Sequence, residues 1–231
     1  MKKNILILMS CFAVIFTSCE KDNLDGPDAQ INGNIIDIAT GELVEQDIIN
    51  GSMVYYIELG FSNPPTQSMN IKNDGTYRND LMFSGEYQFI LNKGNFSPLD
   101  TIWNTVKAGS NKMDFKVLPY IRIKNMEIKE EDGIVTANFK IQQTTSTTVQ
   151  KIALFAHSDI TVGNSINIGY IEQKINDNVS ENTLFTLILD VKNNSRIKKG
   201  RECYFRVGAL SNSLEAKYNY SPPVKIYIPE Y

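Results

Sequence analysis

The chain has 231 residues, with 23 Lys and Arg against 26 Asp and Glu and a single His, a net charge of −3. A mildly acidic chain with scattered charges lacks the basic face that nucleic-acid binding requires, so that class is excluded. Hydrophobic residues make up 42%, which is ordinary for a packed globular protein, and the length allows one or two domains.

The first residues set the expected compartment. Lys2 and Lys3 form a positive start, and Ile5 to Phe16 is an apolar run broken only by Ser10 and Cys11. This is the pattern of a secretory signal peptide, too short to remain in a bilayer as a span. Thr17 and Ser18 are small, so a peptidase can approach the backbone ahead of Cys19. Residues 1–18 therefore read as a lipoprotein signal peptide and Cys19 as the lipidated residue. Each buried methylene contributes about 0.8 kcal/mol, so the two or three acyl chains of such a cysteine hold a protein on a membrane without a transmembrane helix. No later segment has the roughly 18 consecutive apolar residues of a span.

Loss of Lys2 and Lys3 with the leader moves the charge from −3 to −5. Residues 19–28 carry Glu20-Lys21-Asp22-Asn23-Leu24-Asp25 and then Gly26-Pro27, and read as a flexible tether. Cys11 leaves with the signal and Cys19 is acylated, so Cys203 is the one remaining thiol and no intramolecular disulfide is available.

From Ala29 onward the pattern is all-β. Short runs rich in Ile, Val, Tyr, Phe and Thr recur between Gly, Asn, Asp and Pro, and no long stretch keeps a helical period. The best helical candidate, around Lys192 to Lys199, is short and polar and is expected to give one turn at most.

In residues 29–118, Ile31, Gly33 and Ile35 alternate with polar residues. Met53, Tyr55, Ile57 and Leu59 share one strand face. Asn73-Asp74-Gly75-Thr76-Tyr77 is a hairpin signal, because Asp-Gly tolerates the positive φ of tight turns. Gly85, Tyr87, Phe89 and Leu91 alternate again, and Met113, Phe115 and Val117 close the segment. About seven short strands predict a β-sandwich.

In residues 119–231, Val135, Ala137, Phe139 and Ile141 alternate, and Ile152, Leu154 and Ala156 form another inward face. Leu184 to Val191, Cys203 to Ala209, and Val224, Ile226 and Ile228 follow. Turn signals every 8–15 residues predict a second sandwich. Cys203 shares a strand face with Phe205 and Val207, which places it in the core as a small hydrophobe. Val117-Leu118-Pro119-Tyr120 offers no Gly/Ser linker, so little hinge freedom is expected between the sandwiches.

Catalytic patterns are sparse. His157 is the one histidine, expected to face solvent, and it cannot pair with a Cys203 held in the core. Glu130-Glu131-Asp132-Gly133 reads as a solvated hairpin turn, not a glycosidase carboxylate pair. Asn176-Asp177-Asn178 and Asp22-Asn23-Leu24-Asp25 are weak calcium candidates and neither is assigned. No phosphate-cradling glycine loop or nucleophile elbow is present. The expectation is a protein without enzymatic activity, cofactor or metal.

Binding aromatics are the remaining candidates. Sugars present C–H faces that stack on exposed rings, with amides and carboxylates taking the hydroxyls. Trp103, Phe61, Phe96 and Tyr170 are the candidate ligand-binding residues; Tyr218 and Tyr220 share a strand side and fit the core better. If Ile102 points inward, Trp103 points outward or into the seam between the sandwiches.

Several motifs resemble known families. Ile31-x-Gly33-x-Ile35-x-Asp37-x-x-Thr40-Gly41, Asp74-Gly75-x-Tyr77 and Gly85-x-Tyr87-x-Phe89 resemble a transthyretin-like, or carboxypeptidase-regulatory-like, sandwich. Tyr204-Phe205-Arg206-Val207-Gly208-Ala209 and Tyr220-Ser221-Pro222-Pro223 resemble the last strands of a fibronectin type III or other immunoglobulin-like domain. The acidic residues after Cys19 resemble the surface-export signal of Bacteroidota lipoproteins. Together with Asn95-Phe96, Asp100-Thr101, Phe115-x-Val117-x-Pro119-Tyr120-Ile121-Arg122 and Asn219-Tyr220-Ser221-Pro222, the chain resembles the Bacteroidota lipoprotein family called domain of unknown function 3823. The resemblance implies a cell-surface, outer-membrane lipoprotein beside a starch-utilisation-type transporter and its glycan-capturing lipoprotein. The implied role is accessory binding of a glycan or similar nutrient, and the resemblance supplies no catalytic residues. The alternative is a structural or adhesion module that binds another envelope protein through an exposed strand edge. A hydrolase with unusual residues is the third reading.

Overall fold

The computed structural model describes residues 25–231. The segment read as a signal peptide, Cys19 and most of the segment read as a tether lie outside the described residues. The first sandwich is built from β1 (Ala29–Asp37), β2 (Met53–Glu58), β3 (Thr66–Asn70), β4 (Thr76–Met82), β5 (Gly85–Ile90), β6 (Ile102–Val106), β7 (Gly109–Lys112) and β8 (Phe115–Val117). The second comprises β9 (Ile121–Glu131), β10 (Ile134–Gln143), β11 (Val149–His157), β12 (Gly169–Asp177), β13 (Phe185–Asp190), β14 (Arg201–Ser211), β15 (Tyr218–Tyr220) and β16 (Val224–Ile228). Among the described residues there is no helix, and Lys192 to Lys199 forms only turns and bends.

In the first sandwich one sheet runs β4-β1-β7, with β8 also on β1, and the other runs β3-β2-β5-β6. Strict alternation along β1 buries Ala29, Ile31, Ile35 and Asp37. They face a core of aromatics in which the Tyr77, Phe89 and Phe115 rings lie 5.6–6.1 Å from a neighbour. Gly33 sits where the chain between β7 and β8 crosses closest: a Cβ there would stand 1.7 Å from the Met113 carbonyl oxygen, which the Tyr77 hydroxyl also holds at 2.6 Å.

One expectation is borne out and one needs correction. Met53, Tyr55 and Ile57 do share one face of β2; it is the outward, half-buried one, and the core face carries Val54 and Tyr56. Both faces of β2 are apolar, and alternation alone cannot choose between them. The Asp74-Gly75 turn forms, with Gly75 at φ 82°. However, β3 and β4 belong to different sheets, so the turn makes a corner with one bridge, Ile71 to Tyr77, and not a ladder hairpin.

The second sandwich packs sheet β13-β10-β9 on sheet β12-β11-β14-β15, with β16 continuing the last position on β14 beyond Pro222-Pro223. Asp132 and Gly133, at φ 52° and 89°, form the tight turn between β9 and β10. Cys203 is buried with Phe205 and Val207, as alternation implies. β11 is buried on both sides, because Ala153 and Phe155 lie beneath a second cluster with Val162, Tyr218 and Tyr220.

The seam between the sandwiches is polar and closely satisfied. Arg206 on β14 is 0% exposed. Its Nε donates to the Ser221 carbonyl at 2.8 Å, and Nη1 donates to the Gln46 and Val162 carbonyls at 2.9 and 3.2 Å. Nη2 donates to the Asn73 carbonyl at 3.1 Å and to the Glu45 carboxylate. A guanidinium has five N–H donors, and each finds an acceptor, three of them across the seam. The Tyr220 ring lies 4.4 Å from the guanidinium carbon, within cation–π range. The Tyr220 hydroxyl donates to Asp47 at 3.0 Å. Burial, and to a smaller extent the Asp74 carboxylate, pushes the Glu45 carboxyl up to about 7 against the pull of Arg206. Burial lowers the Arg206 guanidinium in turn.

Further links reinforce this centre. Arg122 grips Asp37 as a fork, with distances of 2.5 and 2.8 Å. The Asn95 side chain donates to the Tyr218 carbonyl at 3.1 Å, and the Asn219 side chain donates to the Asn95 carbonyl at 2.7 Å. The tight junction noted in the sequence is thus backed by a network of side chains from both sandwiches.

Two outcomes follow. Gly33→Ala is expected to lose about 3 kcal/mol of stability in denaturant unfolding, since backbone cannot yield as a flexible side chain can. Gly26→Ala, with nothing within 4 Å of its Cβ position, is expected to stay within about 0.5 kcal/mol. Arg206→Met is expected to cost about 3–5 kcal/mol by stranding a buried carboxylate and four carbonyls. Arg206→Lys is expected to recover little of this in the same assay, because an ammonium brings three donors and no planar fork.

Candidate functional site

The register of the β3-β2-β5-β6 sheet assembles a platform on its outward face. Directly opposed residues in antiparallel strands point the same way, with Cβ atoms about 5 Å apart. Trp103 opposes Gln88, Gln88 opposes Ile57, and Ile57 opposes Thr66, so the four form one row across the sheet. The next row holds Ile90, Tyr55 and Ser68. On the other side, Glu86 opposes Thr105, whose hydroxyl it accepts at 2.5 Å. Four strands make a surface roughly 14 Å across. Trp103 is 64% exposed at its edge, and Ile102 packs against the core. The outward direction considered for Trp103 is therefore the one observed, and it faces away from the seam. The Gln88 amide makes no hydrogen bond within the described residues, so donor and acceptor both remain available beside the indole.

The other candidates separate. Phe96 is 1% exposed and belongs to the core of the first sandwich, so its ring offers no face to a ligand; this corrects its choice as a binding residue. Its neighbour Asn95 points the other way, into the seam. Phe61 is exposed in the β2–β3 connection, beyond the platform's end. Tyr170 is exposed on β12 in the second sandwich, 6.3 Å from the Phe155 ring. Trp103, Phe61 and Tyr170 therefore do not form one site. Tyr218 and Tyr220 are buried, as expected.

Clefts line the seam. The largest, about 370 Å³, has Asp37, Glu45, Arg122 and Asn219 in its wall, and one of about 280 Å³ lies against Asp47, Lys151 and Tyr218. Domain junctions commonly hold ligands. Here, though, Asp37 is engaged with Arg122, Glu45 with Arg206 and Asn219 with Asn95, and these contacts hold the sandwiches together. The platform differs in offering an exposed indole and an unengaged amide.

The groups considered for catalysis stay apart. Burial pushes the Cys203 thiol up to about 11, which keeps it protonated, and it donates to the His157 carbonyl at 3.3 Å. His157 Nδ1 accepts from the Asp159 backbone at 3.0 Å. Glu130 caps its turn by accepting from Gly133 N at 2.8 Å. Among the described residues no three His, Cys, Asp or Glu side chains gather as metal ligands. The Asp177 carboxylate accepts from Asn178 N at 2.7 Å within its own loop.

Tyr55, Ile57, Gln88 and Ile90 were not singled out from sequence. Their alternation marks strands, but only cross-strand register brings them into line with Trp103.

Comparison with known proteins agrees with this architecture. Residues 29–118 match the N-terminal domain of the protein family of unknown function DUF3823, and residues 121–225 match the domain of unknown function DUF3823_C. No curated protein matches the chain. A solved structure from Bacteroides uniformis, described as a candidate carbohydrate-binding protein, is 34% identical over 88% of this chain and 100% of its own, with a TM-score of 0.83. DUF3823 family structures from Parabacteroides merdae (20% identity, 87% of this chain and 100% of that one, TM-score 0.76) and Bacteroides ovatus (24%, 87% and 99%, 0.71) share the fold. Matched in both halves and along nearly its whole described length, the chain belongs to the DUF3823 family.

Proposed function

We propose that this chain is a non-catalytic, lipid-anchored protein of the outer-membrane surface that binds a glycan on the outward face of the β3-β2-β5-β6 sheet. The observation that carries the reading is the Trp103–Gln88–Ile57–Thr66 row. An exposed indole at the edge of a flat, half-apolar sheet suits the C–H face of a sugar ring. Gln88, Ser68 and Glu86 stand where hydroxyls of adjoining units would fall. The Bacteroides uniformis relative, described as a candidate carbohydrate-binding protein, supports the same ligand class. The apolar stretch ending at Cys19 supports acylation and surface display. In this role the protein is accessory to a transporter and a glycan-capturing lipoprotein, raising the local concentration of nutrient at the membrane.

A second reading has one observation in its favour. Among the described residues β6 is the last strand of its sheet, with its far edge unpaired, and a partner protein could add a strand there.

Affinity electrophoresis of the soluble, unacylated form in gels containing different polysaccharides separates the two. Retardation is expected with at least one polysaccharide, and Trp103→Ala is expected to weaken it about 30-fold, the ~2 kcal/mol of a central binding aromatic. Free migration in every gel, with capture of a stoichiometric protein partner that is lost on Trp103→Pro, would favour strand addition.

A further inference from the structure

The ends of the first sandwich are chemically different. At one end lie the close of β1, the Asp37–Arg122 fork and the second sandwich. At the other lies the start of β1, where the chain comes from Cys19. The register places several turns at this second end. Ala29 opposes Met82 at the end of β4 and lies beside Gly109 at the start of β7. Gly85 at the start of β5 opposes Val106 at the end of β6. Leu59, just past β2, donates its backbone N–H to Glu86 at 2.9 Å. The β2–β3 loop, the β4–β5 turn and the β6–β7 turn are therefore neighbours around the point of entry.

The end of β4 and these turns carry large apolar side chains in the open: Leu81, on β4, is 75% exposed, Phe61 64% and Phe83 43%. Among the described residues none of the three belongs to a core cluster. Two of the nearby carboxylates are engaged. Asp28 accepts the Ser84 backbone and hydroxyl at 2.6 and 2.7 Å, and Asp80 pairs with Arg78 at 2.6 Å. Lys107, in the β6–β7 turn, is exposed.

We propose that this end is a membrane-contact surface, with Phe61, Leu81 and Phe83 resting in the headgroup region of the bilayer that holds the acylated Cys19. The inference rests on the proposed acylation. Residues 19–28 reach at most roughly 30–35 Å when fully drawn out, about the length of β1 itself at ~3.3 Å per residue. This end is therefore the one the anchor keeps against the bilayer. Apolar side chains flanked by a lysine lodge about 5–10 Å into the headgroup boundary, as interfacial segments do. The sandwich then stands upright, the second sandwich is the distal module, and the Trp103 platform faces sideways above the surface.

The test uses the full mature, acylated chain in vesicles of phosphatidylethanolamine with a minority of phosphatidylglycerol. Spin labels go on Leu81→Cys, on Phe61→Cys and, as a distal control, on Ile188→Cys. Mass spectrometry of the purified chain reports the acyl groups separately. The expected result is loss of most of the broadening by a water-soluble relaxing agent at positions 61 and 81, with full broadening at 188. Water exposure at 61 and 81 equal to that at 188, in an acylated and vesicle-bound chain, overturns the contact surface while leaving the anchor intact. A chain that carries no acyl group overturns the anchor and the contact surface together. The charged variant Leu81→Asp with Phe83→Asp supplies a second measure: the label at position 61 is expected to regain water access, and unchanged burial there would also count against the proposal.

Discussion

Five hydrogen-bond donors radiate from the Arg206 guanidinium, and the relation between the two sandwiches depends on each finding its acceptor. A desolvated cation is costly unless it is fully paired. The Gln46 and Asn73 carbonyls and the Glu45 carboxylate come from the first sandwich, while the Val162 and Ser221 carbonyls come from the second. Tilting one sandwich would pull several acceptors away at once and leave charge in a dry site. A planar fork therefore acts as a gauge of orientation that apolar packing, which tolerates sliding, does not provide. The Asp37–Arg122 fork and the Asn95–Asn219 exchange apply the same constraint at other points of the seam.

That constraint gives meaning to the motifs behind the family resemblance. Asp37, Asn95, the Pro119–Arg122 junction, Arg206 and the Asn219–Ser221 stretch are far apart in sequence, yet they meet at the seam. These motifs describe how two sandwiches are joined more than they describe a ligand, and the platform residues fall outside them. In the proposed reading, the joint sets the height and direction of the platform relative to the bilayer.

Much of the fold could be read from alternation. Ile31-x-Gly33-x-Ile35, Val135 to Ile141 and Cys203-x-Phe205-x-Val207 all bury the side that the pattern implies, because each strand has one clearly apolar face. In β2 the core side could not be read, for the opposite reason: Val54 and Tyr56 compete with Tyr55 and Ile57, and the choice is made by what lies across the sandwich. Arg206 stands within one of the motifs, but nothing local marks it as buried. The segments at Glu45–Gln46, Asn73, Val162 and Tyr220–Ser221 enclose it from distant parts of the chain. Trp103 could be singled out as the sole tryptophan, and its neighbour Ile102 indicated its direction. Its row partners could not, since register between strands distant in sequence leaves no local trace. Phe96 failed as a candidate because its ring lies in the core of the first sandwich, outside the regular strands whose alternation could have shown it.

The central claim is that the seam holds the two sandwiches as one body. Pulsed electron–electron resonance between spin labels at Lys107→Cys and Ile188→Cys tests it most directly, since one label sits in each sandwich and the native Cys203 is buried. The account requires a single narrow distance distribution that keeps its position and width from low to high salt, because the pairs concerned are shielded from solvent. A broad or two-peaked distribution in the unmodified seam would contradict it.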